Sequence, residues 1–96
     1  MGKALTAELI QMKCKTEKLV NIKNLNLWGN DIEDISLIRD MPNIEICSLS
    51  LNKILTLKDF VNCKKLTELF LRKNLISDLQ EVKYLIHCPN LKILWL

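Results

Sequence analysis

The chain has 96 residues, of which 49% are hydrophobic and 26% are charged, and it contains only two glycines and two prolines. This length allows one domain, and this composition excludes collagenous, low-complexity and disordered chains. The net charge of +3 is concentrated in residues 1–23, and charges of both signs balance in the remainder, which argues against a nucleic-acid-binding domain.

The first predicted element is an N-terminal helix. Thr6 is a favoured N-cap residue, and apolar residues then recur at helical spacing as far as Lys15. The residues expected on the apolar face are Leu5, Leu9, Ile10 and Cys14. Because a terminal repeat has a neighbour on one side only, we expect residues 5–21 to cap the repeats that follow.

Three copies of the pattern LxxLxLxxNxI, in which Ile and Cys also occupy Leu positions, begin at Ile22, Ile44 and Leu66, and a shorter fourth copy begins at Leu91. Alternate residues of a strand point to opposite faces, so each copy predicts a strand that buries two residues. The predicted strands, paired in parallel in chain order, lie near residues 24–27, 46–49, 68–71 and 92–95. The residue pairs expected in the core are Leu25/Leu27, Cys47/Leu49, Leu69/Leu71 and Leu94/Leu96.

These copies predict how the chain is divided. We expect a single domain of residues 1–96, with repeats at 22–43, 44–65 and 66–90 and a truncated fourth repeat at 91–96. The last unit lacks the turn and the helix of the others, so we expect the natural chain to continue beyond it.

An asparagine follows each of the first three predicted strands, where the chain turns. A buried amide side chain can donate to and accept from backbone groups that such a turn leaves without partners. We therefore expect a structural ladder formed by Asn30, Asn52 and Asn74.

The second half of each repeat is predicted to be a short helix. The expected N-cap residues are Asp34, Thr56 and Asp78. Asp59 and Glu81 follow three residues after two of these caps, which predicts capping boxes, and Pro42 and Pro89 end the first and third helices. The side chains expected to face the core are Ile35, Ile38, Met41, Leu57, Phe60, Cys63, Leu79, Val82, Leu85 and Cys88.

The 22-residue period, the short helices and the pattern LxxLxLxxNxI resemble the leucine-rich repeat. The subgroup they resemble includes phosphatase regulators, axonemal dynein light chains and the spliceosomal U2A-prime protein. The resemblance implies an α/β leucine-rich-repeat solenoid, with a curved parallel sheet on the concave face and short helices on the convex face.

Three stretches further resemble a leucine-rich-repeat family of basal bodies and cilia. They are Leu25-Asn26-Leu27-Trp28-Gly29, residues 68–74 and Leu94-Trp95-Leu96. This resemblance implies a non-enzymatic scaffold in the assembly of cilia or flagella, located in the cytoplasm and at the basal body, with a protein partner such as a NIMA-related kinase. A U2A-prime-like spliceosomal subunit and a phosphatase-regulatory protein remain alternatives.

Candidates for catalysis or metal binding are few. Cys14, Cys47, Cys63 and Cys88 are widely spaced and form no CxxC pair, so we interpret them as reduced thiols rather than as zinc ligands. His87 is the one histidine, and adjacent residues of a helix do not face each other, so we do not expect it to activate Cys88. We therefore expect no enzyme activity, no cofactor and no metal.

The outward side chains of the predicted sheet are the candidate binding site. Aromatic residues and arginine are enriched in binding hot spots, and the concave face of a solenoid is its usual binding surface. The residues expected to contact a partner are Asn24, Asn26, Trp28, Ile46, Ser48, Ser50, Glu68, Phe70, Arg72, Lys73, Ile93 and Trp95. The alternative is that the aromatic side chains pack on one another across neighbouring strands.

The N-terminus also fits the N-myristoylation pattern MGxxxT, with Gly2 as the acceptor. Nearby lysines would supply a second, electrostatic membrane signal. The pattern is short, however, and Thr6 already has a role as a helix cap, so lipidation of Gly2 stays an alternative. No apolar run is long enough for a transmembrane helix.

Overall fold

The computed structural model describes residues 3–15 and 18–96, so the possible acceptor Gly2 lies outside the described residues. Four of the strands form a parallel sheet in the order β2-β4-β5-β6, which confirms the predicted strand order. A separate pair joins β1 to β3. The strand bounds are β1 Lys3–Ala4, β2 Asn24–Asn26, β3 Ile32–Asp34, β4 Ile46–Ser48, β5 Glu68–Phe70 and β6 Ile93–Trp95.

The α-helix of the described chain, α1, spans Ala7–Cys14. The Thr6 side chain accepts a hydrogen bond from the Leu9 N–H at 3.2 Å, and Lys15 ends the helix in the left-handed conformation with φ 54°. The helices of the repeats are 3₁₀ rather than α, which limits them to tight, short turns. They span Ser36–Asp40, Lys58–Phe60 and Leu79–His87, and a further 3₁₀ helix, Leu19–Asn21, precedes the first repeat.

One apolar cluster runs through the described repeats, from Leu5 to Cys88. The predicted core pairs of β2, β4 and β5 are fully or almost fully buried in it. The prediction was wrong for Leu96, which is 48% exposed, and Leu94 is only partly buried. The exposure of Leu96 and the partial burial of Leu94 have the same cause: no described strand or helix packs on the far side of β6.

The helical side of the last repeat differs from prediction in the same way. Leu79 was expected in the core but is 78% exposed, and Val82 is only partly buried. Leu85 and Cys88 do reach the core. The expected positions lie three residues apart and so share one face of a 3₁₀ helix. Leu79 is exposed because no further described repeat packs against this end of the stack.

Of the expected N-cap residues, Asp78 caps its helix, and its carboxylate accepts from the Gln80 N–H at 2.8 Å. The prediction was wrong by one residue for Asp34 and Thr56, because β3 extends to Asp34 and the N-cap positions are Ile35 and Leu57. The Asp34 carboxylate still accepts from the Ser36 N–H at 2.9 Å.

The predicted capping boxes are absent from the described repeats. Asp59 instead accepts from the Arg39 side chain at 2.7 Å. Glu81 accepts from the Thr56 hydroxyl and from a backbone N–H of the preceding repeat. Stacking places these partners beside the carboxylates, so the predicted capping boxes were wrong.

The pairing of β1 with β3 was not predicted. The two strands are parallel, and the Leu5 N–H donates to the Asp34 carbonyl at 2.8 Å. These hydrogen bonds hold the segment that precedes α1 against the first repeat. No helix among the described residues is both long and apolar enough to cross a membrane.

Candidate protein-binding surface

The outward side chains of the four-stranded sheet, with those of the turns that follow, form a surface that we call the sheet face. Its register is regular: Asn26 of β2 lies beside Ser48 of β4, followed by Phe70 of β5 and Trp95 of β6. Because side chains alternate along a strand, every residue of this row faces away from the core. The row before it consists of Asn24, Ile46, Glu68 and Ile93.

At the carboxyl ends of the strands the sheet face contains a groove of about 440 Å³, the sheet groove. Its lining residues are Trp28, Ser48, Ser50, Leu51, Phe70, Arg72, Lys73 and Trp95. All except Leu51 are among the candidate site residues of the sequence analysis. The other candidates, Asn24, Asn26, Ile46, Glu68 and Ile93, lie outside the groove lining.

Leu51 is the lining residue that the sequence analysis missed. Gly29, Leu51 and Lys73 recur at the 22-residue period, and all three have positive φ, at 68°, 58° and 63°. This left-handed turn ends each strand segment and carries the side chains of Leu51 and Lys73 to the groove. Glycine in the first copy was the signal that the turn needs positive φ.

Aromatic rings form one end of the sheet groove. The rings of Phe70 and Trp95 meet edge to face, with centroids 5.6 Å apart and an interplanar angle of 84°. The Arg72 guanidinium lies 5.7 Å from the centre of the Trp95 ring. Cross-strand aromatic packing, the alternative above, therefore exists, yet Trp95 remains 52% exposed.

The other end of the groove is formed by Trp28, which is 61% exposed. Between Trp28 and Phe70 the floor is made by Ser48 and Ser50 of the second repeat. Two small side chains flanked by large rings leave a recess. An indole exposed to this degree beside a recess is typical of a binding hot spot.

The charge of the sheet groove is positive. Arg72 and Lys73 line it, and no carboxylate does. Across residues 3–15 and 18–96, the ion pairs are Arg39–Asp59 and Lys53–Asp31, so neither groove cation is paired. The acidic residue of the nearest outward row, Glu68, lies two positions before Phe70, toward the amino end of β5.

The asparagine side chains hold the turns below the groove. Asn52 is buried, and its carbonyl oxygen accepts from the N–H groups of Asn30 and Ile32 at 3.0 and 2.9 Å. Its amide donates to the Leu27 and Leu49 carbonyls at 2.9 and 2.8 Å.

Its two counterparts bond less extensively. Asn74 accepts from the Ile54 N–H and donates to the Leu49 and Leu71 carbonyls, all at about 3 Å. The side chain of Asn30 donates to the Trp28 carbonyl at 3.0 Å. Each asparagine therefore connects turn backbone, and the Asn52 side chain joins the first and second repeats.

Three of the four cysteines lie in the apolar core. Cys47, Cys63 and Cys88 are buried, and burial raises the pKa of all three thiols, that of Cys63 to about 12. A raised pKa keeps a thiol protonated and unreactive. His87 is exposed at the end of its 3₁₀ helix. Within the described ranges, no group of three or more potential metal ligands occurs.

A second, larger groove of about 720 Å³ was not predicted. Its polar lining includes the Arg39–Asp59 pair, the carboxylate of Asp34 and the hydroxyl of Thr56. Each of these groups bonds within the protein, Asp34 with the Ser36 N–H and Thr56 with Glu81. The hydrogen bond with Ser36 lowers the pKa of Asp34. Stacking of the repeats therefore accounts for most of this polar lining.

The chain is similar in sequence to proteins named for cilia. Mouse cilia- and flagella-associated protein 410 is 41% identical to it over 92 residues, which cover 96% of this chain and 37% of that protein. The human protein is 40% identical over 92 residues, covering 96% of this chain and 36% of that protein. The chain thus spans little more than a third of the length of these relatives. No protein-family model matches it.

The fold is similar to that of bacterial leucine-rich-repeat proteins. Internalin C2 of Listeria monocytogenes superposes with a TM-score of 0.71 and 32% identity, over 77% of this chain and 31% of that one. A second Listeria monocytogenes internalin gives a TM-score of 0.69 at 22% identity, over 74% of this chain and 21% of that one. These likenesses confirm the predicted leucine-rich-repeat solenoid.

Proposed function

We propose that this leucine-rich-repeat protein, a relative of cilia- and flagella-associated protein 410, is a non-enzymatic protein-binding module in the assembly of cilia or flagella. Its binding site is the sheet groove. The observation that carries the proposal is the pair of exposed indoles, Trp28 and Trp95, at the two ends of the groove. The groove also holds two cations that have no ion-pair partner among the described residues. Aromatic and arginine side chains in this setting provide most of the binding energy of many interfaces.

Charge supports a protein partner over a nucleic acid. Binding to a phosphate backbone commonly uses six or more cations, roughly one per phosphate contact. The sheet groove holds only Arg72 and Lys73, and Glu68 lies on the same sheet face. The groove therefore fits a mixed apolar and polar protein surface.

The cellular place of the module rests on sequence similarity. The relatives are named for association with cilia and flagella, and they match nearly the whole of this chain. We therefore propose that the protein acts in the cilium or flagellum, and that it also occurs in the cytoplasm and at the basal body. A ciliary protein, such as a NIMA-related kinase, is the partner class that we propose.

Affinity capture tests this function. The purified chain, immobilised, is incubated with an extract of ciliated cells, and the bound proteins are identified and then titrated as purified partners. We expect Trp28→Ala to weaken binding about 30-fold, because truncating an aromatic hot spot costs about 2 kcal/mol. The matched control is Ile86→Ala, since Ile86 is apolar, 76% exposed and outside the lining of both grooves.

The outcomes separate the alternatives. Capture of a ciliary protein by the wild type and by Ile86→Ala, but not by Trp28→Ala, supports the proposal. Equal binding by a folded Trp28→Ala variant would move the site away from the sheet groove. Capture of spliceosomal RNA with its proteins, or of a protein phosphatase, would replace the ciliary role with one of the two alternatives.

A further inference from the structure

We infer that the sheet groove binds an extended, acidic segment of the partner. An apolar side chain of that segment enters the recess over Ser48 and Ser50, and a carboxylate two residues away pairs with Arg72 and Lys73. The inference rests on the proposed function, because it specifies the partner of the same groove. Three properties of the groove support it: its width, its charge and the distance between its apolar and cationic parts.

The width of the recess selects an extended chain. Trp28 follows β2 and Phe70 belongs to β5, and β4 lies between these strands in the sheet. Neighbouring strands are about 4.8 Å apart, so the two rings are anchored on lines about 10 Å apart. An α-helix with its side chains is about 10–12 Å across, whereas a single extended chain is about half as wide. A helix therefore cannot enter between the rings, whereas an extended chain that crosses the strands can place one side chain there.

The charge of the groove selects an acidic segment. Its lining holds Arg72 and Lys73 with no carboxylate, and neither cation has an ion-pair partner in the described part of the chain. Arg72 is held against the Trp95 ring, which fixes its place at the groove wall. A guanidinium held in this way is suited to paired hydrogen bonds with a carboxylate.

The distance between the apolar recess and the two cations predicts a short sequence motif in the partner. The floor serines belong to the second repeat, and Arg72 follows β5, one strand spacing further along the sheet. With the reach of the arginine toward Trp95 of β6, the distance to be bridged is between one and two strand spacings, about 5–10 Å. Residues two apart in an extended peptide point to the same side and lie about 7 Å apart. The expected motif is an apolar residue, any residue, then Asp or Glu.

Short fluorescein-labelled peptides test this motif by fluorescence anisotropy. A central leucine or tryptophan is followed, two residues later, by Asp, by Asn or by Lys, in an otherwise Gly and Ser sequence. We expect the Asp peptide to bind the wild-type chain about tenfold more tightly than the Asn peptide, the scale of one charge-assisted contact. Salt should reduce this preference modestly, because two cations are involved.

Charge reversal sharpens the test. The Arg72→Glu variant should no longer bind the Asp peptide and should bind the Lys peptide. The control is Lys65→Glu, a charge reversal at an exposed residue outside both grooves, which should leave the order of the three peptide affinities unchanged. Circular dichroism and the urea midpoint establish that each variant is folded. A Lys73→Glu variant provides the same reversal at the second cation.

The result distinguishes this inference from the proposed function. If the three peptides bind equally, or none binds while the captured partner still depends on Trp28, the sheet groove is the binding site but its occupant is not an acidic extended segment. If neither peptides nor partner depend on Trp28, both proposals are overturned. An Asp preference that reverses with Arg72→Glu supports the motif.

Discussion

Asn52 shows how a single polar side chain stabilises this fold. It is buried, and it bonds with two backbone N–H groups and three backbone carbonyls from two repeats. A polar group left unpaired inside a protein costs about 1–3 kcal/mol. Its structural role could be predicted from the sequence, because an amide can both donate to and accept from turn backbone, and asparagine recurs at the 22-residue period.

We predict that Asn52→Ala lowers the free energy of unfolding by about 3 kcal/mol, since several buried backbone groups lose their partner together. Asn74→Ala should cost less, because Asn74 is only half-buried and accepts from one N–H group. Asn30→Ala should cost least, because that side chain makes one hydrogen bond, to an exposed carbonyl. Urea unfolding of the three variants measures this order, and equal midpoints would contradict it.

At the scale of the element, the turns after the strands are the most constrained segments. Gly29, Leu51 and Lys73 all have positive φ, a conformation that costs a residue with a Cβ atom about 1 kcal/mol. At this turn position the second and third repeats therefore carry strain that glycine avoids in the first. The first repeat has its own strained residue two positions later, Asp31, with φ 56°. Leu51 and Lys73 line the sheet groove, so the strain coincides with the candidate binding site.

Substitution at the first turn measures this cost directly. A Cβ atom at Gly29 would meet no atom within 4 Å, so Gly29→Ala tests the backbone conformation alone. We predict a loss of about 1 kcal/mol in the free energy of unfolding. Lys73→Gly, the reverse change in the third repeat, should leave stability equal or slightly higher. Chemical denaturation of both variants checks this, and an unaffected Gly29→Ala midpoint would show that the turn is not strained.

The helical halves of the repeats show how one element holds the next. The carboxylates of Asp59 and Glu81 accept hydrogen bonds from the preceding repeat rather than capping their own helices. Asp59 is buried, and Arg39 is its partner at 2.7 Å. These contacts join neighbouring repeats on the side opposite the asparagines, so both sides of the stack are fastened by polar bonds.

At the scale of the whole molecule, stability should decrease toward the last strand. A central strand of the sheet has a neighbour on each side, whereas β6 pairs with β5 alone. Leu94 is only partly buried, and Leu96 is exposed. In repeat proteins each unit is stabilised chiefly by its immediate neighbours, so the unit with one neighbour opens first.

Hydrogen exchange monitored by NMR tests this gradient. The Leu49 N–H donates to the Phe70 carbonyl at 2.8 Å, and the Leu71 N–H donates to the Trp95 carbonyl at 2.7 Å. The two bonds are of similar length, so a difference in exchange reports the position in the stack. We expect the Leu71 amide to exchange at least about tenfold faster, corresponding to an opening free energy about 1.4 kcal/mol lower. Equal protection would indicate that the described chain opens as one cooperative unit.

The features that could be predicted from the amino-acid sequence follow local rules repeated at a fixed period. Alternation along a strand identified Leu25 and Leu27, and the same rule placed Trp28, Phe70 and Arg72 outward. In each case the residue type and its position in the repeat were sufficient to predict burial or exposure, because each repeat packs on its neighbours in the same way. The expected binding surface follows from this rule, and its function remains a proposal.

The features that required the tertiary structure depend on how one repeat lies against the next. The partners of Asp59 and Glu81 and the contact of Arg72 with the Trp95 ring involve residues about 20 or more apart. The exposure of Leu79 depends on which described repeats pack against it. No local pattern encodes the small rotation and offset between stacked repeats, which decide these contacts. The β1–β3 pairing was unpredictable for a related reason, since two residues are too few to show a period.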